Sequence, residues 1–320
     1  MDFRLQNMQT VAEFKMGVIP FLFMLVSYVL VLSWISFVSM NTDATYGQIN
    51  FNLAVIGIIP LLALIAVSGI FGTLKDGYIV FFPSGTTNIT SVIQSIGVAL
   101  LLGFIFGGFT LAFSPIKLFS FSYSLTDTIQ STATTMQYYL NYSVVPAFNE
   151  EIVFAGFLML IVVLLTRAFN FNKSHPNYYS RGVNIAIIAI AVTSLIFAGE
   201  HYFAYSTRLN ADFQSYQSNP TSWNALYPNA PIPQNPSSLL GVVQIIGSIG
   251  VAGLFRIFNT VFIIATKDIY QGVFNHAIVN AFILVQDNSL PTYGQWGFVA
   301  FLILGFVAFG LLENVFAKRK

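Results

Sequence analysis

The side chains of this sequence that could carry chemistry are few, and they stand among apolar neighbours. Glu150, Glu151, Glu200, His201, Arg256, His276 and Asn280 all fall inside long apolar runs. On insertion scales an ionisable group at the centre of a membrane helix costs about 2.5–3.5 kcal/mol, so such groups mark function or pairing. Carboxylates beside imidazoles supply a general base, a proton carrier and donors for a developing oxyanion. Two imidazoles and a carboxylate also make a three-ligand catalytic zinc site. The plainer role for the same residues is interhelical polar glue. With no cysteine in the chain, disulfides, thiolate metal sites and cysteine nucleophiles are excluded.

The elements that must hold these residues follow from composition. Of 320 residues, 56% are hydrophobic and 8% charged, against roughly 45–50% and about 25% in soluble domains. The bilayer is therefore the organising solvent, and lipid is a partner. A net charge of +1 rules out a polyanion-binding surface as the main theme, and no nucleic-acid partner is expected. Eight apolar runs predict an all-α fold, a polytopic integral membrane bundle of about eight transmembrane helices: Gly17 to Met40, Phe51 to Phe71, Val92 to Phe113, Val144 to Ala168, Val183 to Tyr205, Leu239 to Ala265, Ile269 to Val285 and Gly297 to Phe316. Pro20, Pro60 and Pro146 kink such helices without excluding them.

Alternate connections differ in basic residues, ten against two, which predicts a cell-membrane protein with both termini cytoplasmic. The organisation read from this is a three-helix region with an outer loop over 1–143, a core over 144–316, and a basic tail over 317–320. Within the core, Ser206 to Ser238 carries five prolines and is expected to be an outer lid-like loop. His175 falls in a basic cytoplasmic connection and reads as a solvated loop residue.

Depth brings the polar residues together. With a rise of 1.5 Å per residue, Glu150 lies roughly 9 Å inside the outer end of the fourth run. His201 lies roughly 6 Å from the outer end of the fifth, and His276 roughly 13 Å from that of the seventh. Within their helices His276 and Asn280 share a face at i, i+4, as do Phe197 and His201. A carboxylate, two imidazoles and a carboxamide thus converge from three helices on one polar cavity in the outer leaflet. Arg256 is read separately, as a snorkelling side chain or the partner of a glutamate.

Three segments resemble the motifs of the CAAX-protease and bacteriocin-processing (CPBP) family of intramembrane proteases, which includes type 2 CAAX prenyl proteases and abortive-infection proteins. Glu150-Glu151-Ile152-Val153-Phe154-Ala155-Gly156 is similar to its Glu-Glu-x-x-Phe-Arg-Gly, Phe197 to His201 to its Phe-x-x-x-His, and His276 to Asn280 to its His-x-x-x-Asn. The resemblance spans about Pro146 to Phe282. It implies an endopeptidase in which Glu150 activates a water, His201 positions it, and His276 and Asn280 bind the oxyanion, with Glu151 a further member of the catalytic group. The substrate implied is a membrane protein or peptide. If a metal is bound, Glu150, His201 and His276 are its ligands. Zinc is possible, but no His-Glu-x-x-His helix is present, which favours the metal-free glutamate mechanism slightly.

Ala155 departs from the pattern, which has arginine there. Glu151 must then be protonated, paired elsewhere, or held by Arg256 or a backbone donor. Two other functions compete. One is an ion- or proton-coupled transporter whose relay uses Glu150, Glu151, Glu200 and the histidines; the other is a non-catalytic, immunity-type membrane protein that binds a peptide. The sequence shows neither the internal repeats nor the paired broken helices of transporters.

Overall fold

The computed structural model describes residues 143–172, 174, 176–226, 232–266 and 269–287, with isolated positions between 11 and 29, 93 and 105, and 300 and 308. The first three expected spans and the eighth, the connection before residue 143, His175 and both termini lie outside this continuous part. Among the described residues the chain is wholly helical: α1 (Val145–Ala168), α2 (Tyr178–Ser218), α3 (Pro220–Leu226), α4 (Leu239–Thr266) and α5 (Ile269–Asp287). Among the described residues three stretches are long and apolar enough to cross a membrane: Val145–Ala168, Tyr178–Tyr202 and Leu239–Ala265. α5 is not one of them, since Gln271, Asn275, His276 and Asn280 dilute its apolar character.

Local chemistry sets the helix ends. Proline in the first turn of α1 loses no helical hydrogen bond, because that N–H has no intrahelical partner. The other end closes in a Schellman turn: Asn170 N–H donates to Arg167 O at 3.1 Å and Phe171 N–H to Thr166 O at 2.8 Å, with Asn170 at φ 47°. Asparagine tolerates that left-handed conformation better than most side chains. Asn219 ends α2 and caps α3, its Oδ1 accepting from Ser222 N–H at 2.9 Å, with Pro220 following as the first helical residue. Ser238 caps α4 through Gly241 N–H at 3.0 Å. Gly241 is required there, because a Cβ would overlap the backbone carbonyl of Asn235.

α1 is the most buried of the three long apolar helices among the described residues. It packs on α2 and α5, while α4 lies along α2 and meets α5. Leu158, Met159 and Val162 of α1 are buried against Ala186, Ala189 and Ile190 of α2 and Ile263 of α4. Lipid tails are as apolar as these side chains, so the helices are held by close packing and polar contacts. Glycines permit the approach: a Cβ at Gly253 of α4 would stand 3.3 Å from Ala198 Cβ, and one at Gly272 of α5 would collide with Ile263.

One expectation is corrected. Residues 206–218 are not the start of a loop but a continuation of α2, a helix of 41 residues and so about 60 Å long. No glycine or proline interrupts positions 200–219; the prolines begin at Pro220. The extension is held by Tyr205 and Leu209, buried on Ile245 of α4.

Candidate functional site

α1 presents Glu150 and Glu151 to different surroundings. Glu151 is fully buried, whereas the Glu150 side chain keeps 22% of its surface exposed. Neighbouring residues on a helix point about 100° apart, so one carboxylate faces α4 and α5 while the other stands at the rim. His276 of α5 lies between them. Its Nδ1 is 2.8 Å from Glu151 Oε1, and its Nε2 is 3.7 Å from Glu150 Oε2. The second distance is too long for a direct hydrogen bond, and Glu150 Oε2 is buried without a hydrogen-bond partner.

Arg256 of α4 completes the buried side. Its Nη1 is 2.8 Å from Glu151 Oε2, and the two side chains are 1% and 0% exposed. The guanidinium carbon lies 5.2 Å from the Phe154 ring centre and 5.7 Å from that of Phe197. These aromatic faces offset part of the cost of removing a cation from water. Of the four states open to Glu151 in the sequence, the structure takes pairing with Arg256. Ala155, where the family pattern has arginine, is buried in the apolar core, and the cation arrives from another helix.

His201 does not touch the carboxylates. Its Nδ1 is 2.8 Å from Phe197 O; a carbonyl only accepts, so Nδ1–H donates and the neutral ring keeps its lone pair on Nε2. Both imidazoles flank Phe197, at centroid distances of 4.3 Å for His201 and 6.5 Å for His276. Asn280 is turned toward the start of α1, its Nδ2 donating to Ser143 O at 3.3 Å. Glu151 and His276 therefore meet directly, Glu150 approaches the imidazole to 3.7 Å, His201 stands one aromatic ring away, and Asn280 ties α5 to α1 one turn further along. Glu200, buried at Oε2 without a hydrogen-bond partner, joins none of them.

Asn259 and Asn275 escaped the sequence reading. Asn259 donates to Gly272 O at 3.2 Å and accepts from Asn275 Nδ2 at 2.6 Å, and its side chain lies near the Glu151 carboxylate. Its signal was present: Asn259 follows Arg256 at i+3 and shares its face of α4. Among the described residues no group of three or more His, Asp or Glu side chains is placed to hold a metal ion. Glu150, His201 and His276 do not fit a three-ligand site as they stand, because only the first and last approach each other.

The arrangement can take a proton at the rim and pass it inward to an imidazole backed by a buried carboxylate. The chain matches no protein-family model, no curated protein and no solved structure.

Proposed function

We propose that this chain is an intramembrane endopeptidase of the CAAX-protease-like kind, acting on a membrane protein or peptide. The observation that carries the reading is His276 suspended between two carboxylates, with the rim carboxylate free to accept a proton. In this mechanism Glu150 takes a proton from a water as its oxygen attacks the scissile carbonyl carbon. The proton passes to His276 Nε2, and the imidazolium formed is stabilised by Glu151. His276 then donates to the tetrahedral intermediate, and the proton leaves on the amine as the C–N bond breaks. His201 Nε2, left open by the Nδ1 bond to Phe197, orients the water. Asn280 is assigned to the oxyanion, rotating from Ser143 when substrate enters. The wider architecture belongs to the same proposal: about eight spans in the cell membrane, both termini cytoplasmic and the cavity opening outward.

The test is cleavage of a fluorogenic peptide panel by the purified protein in lipid vesicles. Glu150→Gln should leave the protein folded and lower the rate at least roughly a hundredfold. Near-wild-type cleavage by that variant would sink the mechanism. Proton flux into the vesicles without any cleavage would favour the relay reading. For the topology, a tag near Asn229 should label from outside intact cells and a reporter after Lys320 should read as cytoplasmic; the reverse pattern discards the outward orientation.

A further inference from the structure

Arg256 makes and breaks no bond in this mechanism, yet it heads the fully buried side chains by size among the described residues. Its guanidinium lies against Phe154 and Phe197, with Nη1 ion-paired to one oxygen of Glu151, 2.8 Å away. A carboxylate paired in this way is an ion, and an ionised carboxylate only accepts hydrogen bonds. The other oxygen, Oε1, lies 2.8 Å from His276 Nδ1. Nδ1 must then carry the hydrogen. In its neutral form the imidazole has a single N–H, so Nε2 is then bare, and Nε2 is the nitrogen that faces Glu150 Oε2 at 3.7 Å.

We propose that Arg256 is a positioning residue: acting through Glu151, it fixes the Nδ1–H tautomer of His276 and keeps Nε2 open toward Glu150. Glu151 is on this account also a positioning residue, and the reacting groups are Glu150 and His276. Asn259 supports the arrangement from the same face of α4. Its amide donates to the Gly272 carbonyl and accepts from Asn275, which holds the side chain in place on that face. The consequence for rate rests on the protease reading; the tautomer does not.

The experiment uses the full chain in lipid vesicles with 15N-labelled histidine. Three histidines are present, and a His276→Gln sample identifies the signals of His276 by difference. At alkaline pH, where the imidazole is neutral, the wild type should show His276 protonated at Nδ1. Arg256→Met leaves Glu151 buried and unpaired and can fail to fold, so the decisive variant is the Arg256→Gln/Glu151→Gln pair, which keeps the shape and removes both charges. It should lose the pure Nδ1–H state, and its kcat should fall at least about a hundredfold with KM nearly unchanged, as when a triad loses tautomer control. A wild-type ring protonated at Nε2, or a double variant with an unaltered spectrum, overturns the proposal. A chain that shows the tautomer and its loss but cleaves no peptide keeps the positioning role and discards the protease reading.

Discussion

α1 and α4 are equally recognisable as apolar helices, but 71% of the apolar window of α1 is buried within the protein and only 28% of that of α4. In water such a difference would expose a wide greasy surface. In a bilayer it separates a central scaffold from a helix with one working face. Leu239, Val243, Ile246, Leu254 and Phe258 of α4 point outward, while Ile245, Ser248, Arg256, Asn259 and Ile263 of the same helix are buried. Apolarity in a membrane protein reports the solvent, and it is the polar residues that report which side of a helix meets the protein.

The sharpest break in this comparison comes from the polar face of α4. Arg256→Met leaves the Glu151 charge buried without its cation and should cost about 3–5 kcal/mol, measured as reversible unfolding in detergent micelles. A loss below about 1 kcal/mol would mean that Asn259 and His276 suffice to hold the carboxylate.

On α1 the apolar side chains themselves should matter. Leu158, 1% exposed, leaves a cavity on truncation, and Leu158→Ala should destabilise by about 2–5 kcal/mol. At the contact between α4 and α5, Gly272→Ala forces a Cβ into the buried Ile263 side chain and should cost about 1–3 kcal/mol. It should also slow cleavage, since His276 stands one turn further along α5 and moves with it. The smallest effect belongs to the outer face of α4. Leu254→Ala, at a position 53% exposed, should change stability by less than about 0.5 kcal/mol. An effect as large as that of Leu158→Ala would show that this face is covered by protein.

Much of this was legible in the residues. The starts of α1 and α4 lie within one residue of the expected spans, because a membrane helix is announced by the length of its apolar run. Glu150, Glu151 and His276 were placed together by depth and by helical spacing. What the pattern did not carry was rotation about the helix axis. Adjacent glutamates at one depth look equivalent until packing turns one toward Arg256 and leaves the other at the rim. Asn280 was expected in the cavity and is found on Ser143 O, a contact with the start of another helix that no spacing within α5 encodes. The continuation of α2 to Ser218 was missed because the whole stretch was read by its prolines. Its first thirteen residues hold none, and they are stabilised by Leu209 and Tyr205 against α4.

The Glu151–His276 contact also has a history in each molecule, because its partners are 125 residues apart in the chain. At about 5–20 residues per second of synthesis, α1 emerges and enters the membrane roughly 6–25 s before His276 exists. Glu151 spends most of that interval without Arg256 and all of it without His276, at an insertion cost of about 2.5–3.5 kcal/mol. α1, the first of the five to be made, thus keeps one buried charge unpaired until α4 and α5 follow. A nascent chain stopped before α4 should be a preferred target for membrane quality-control proteases, and one released after α5 should escape them.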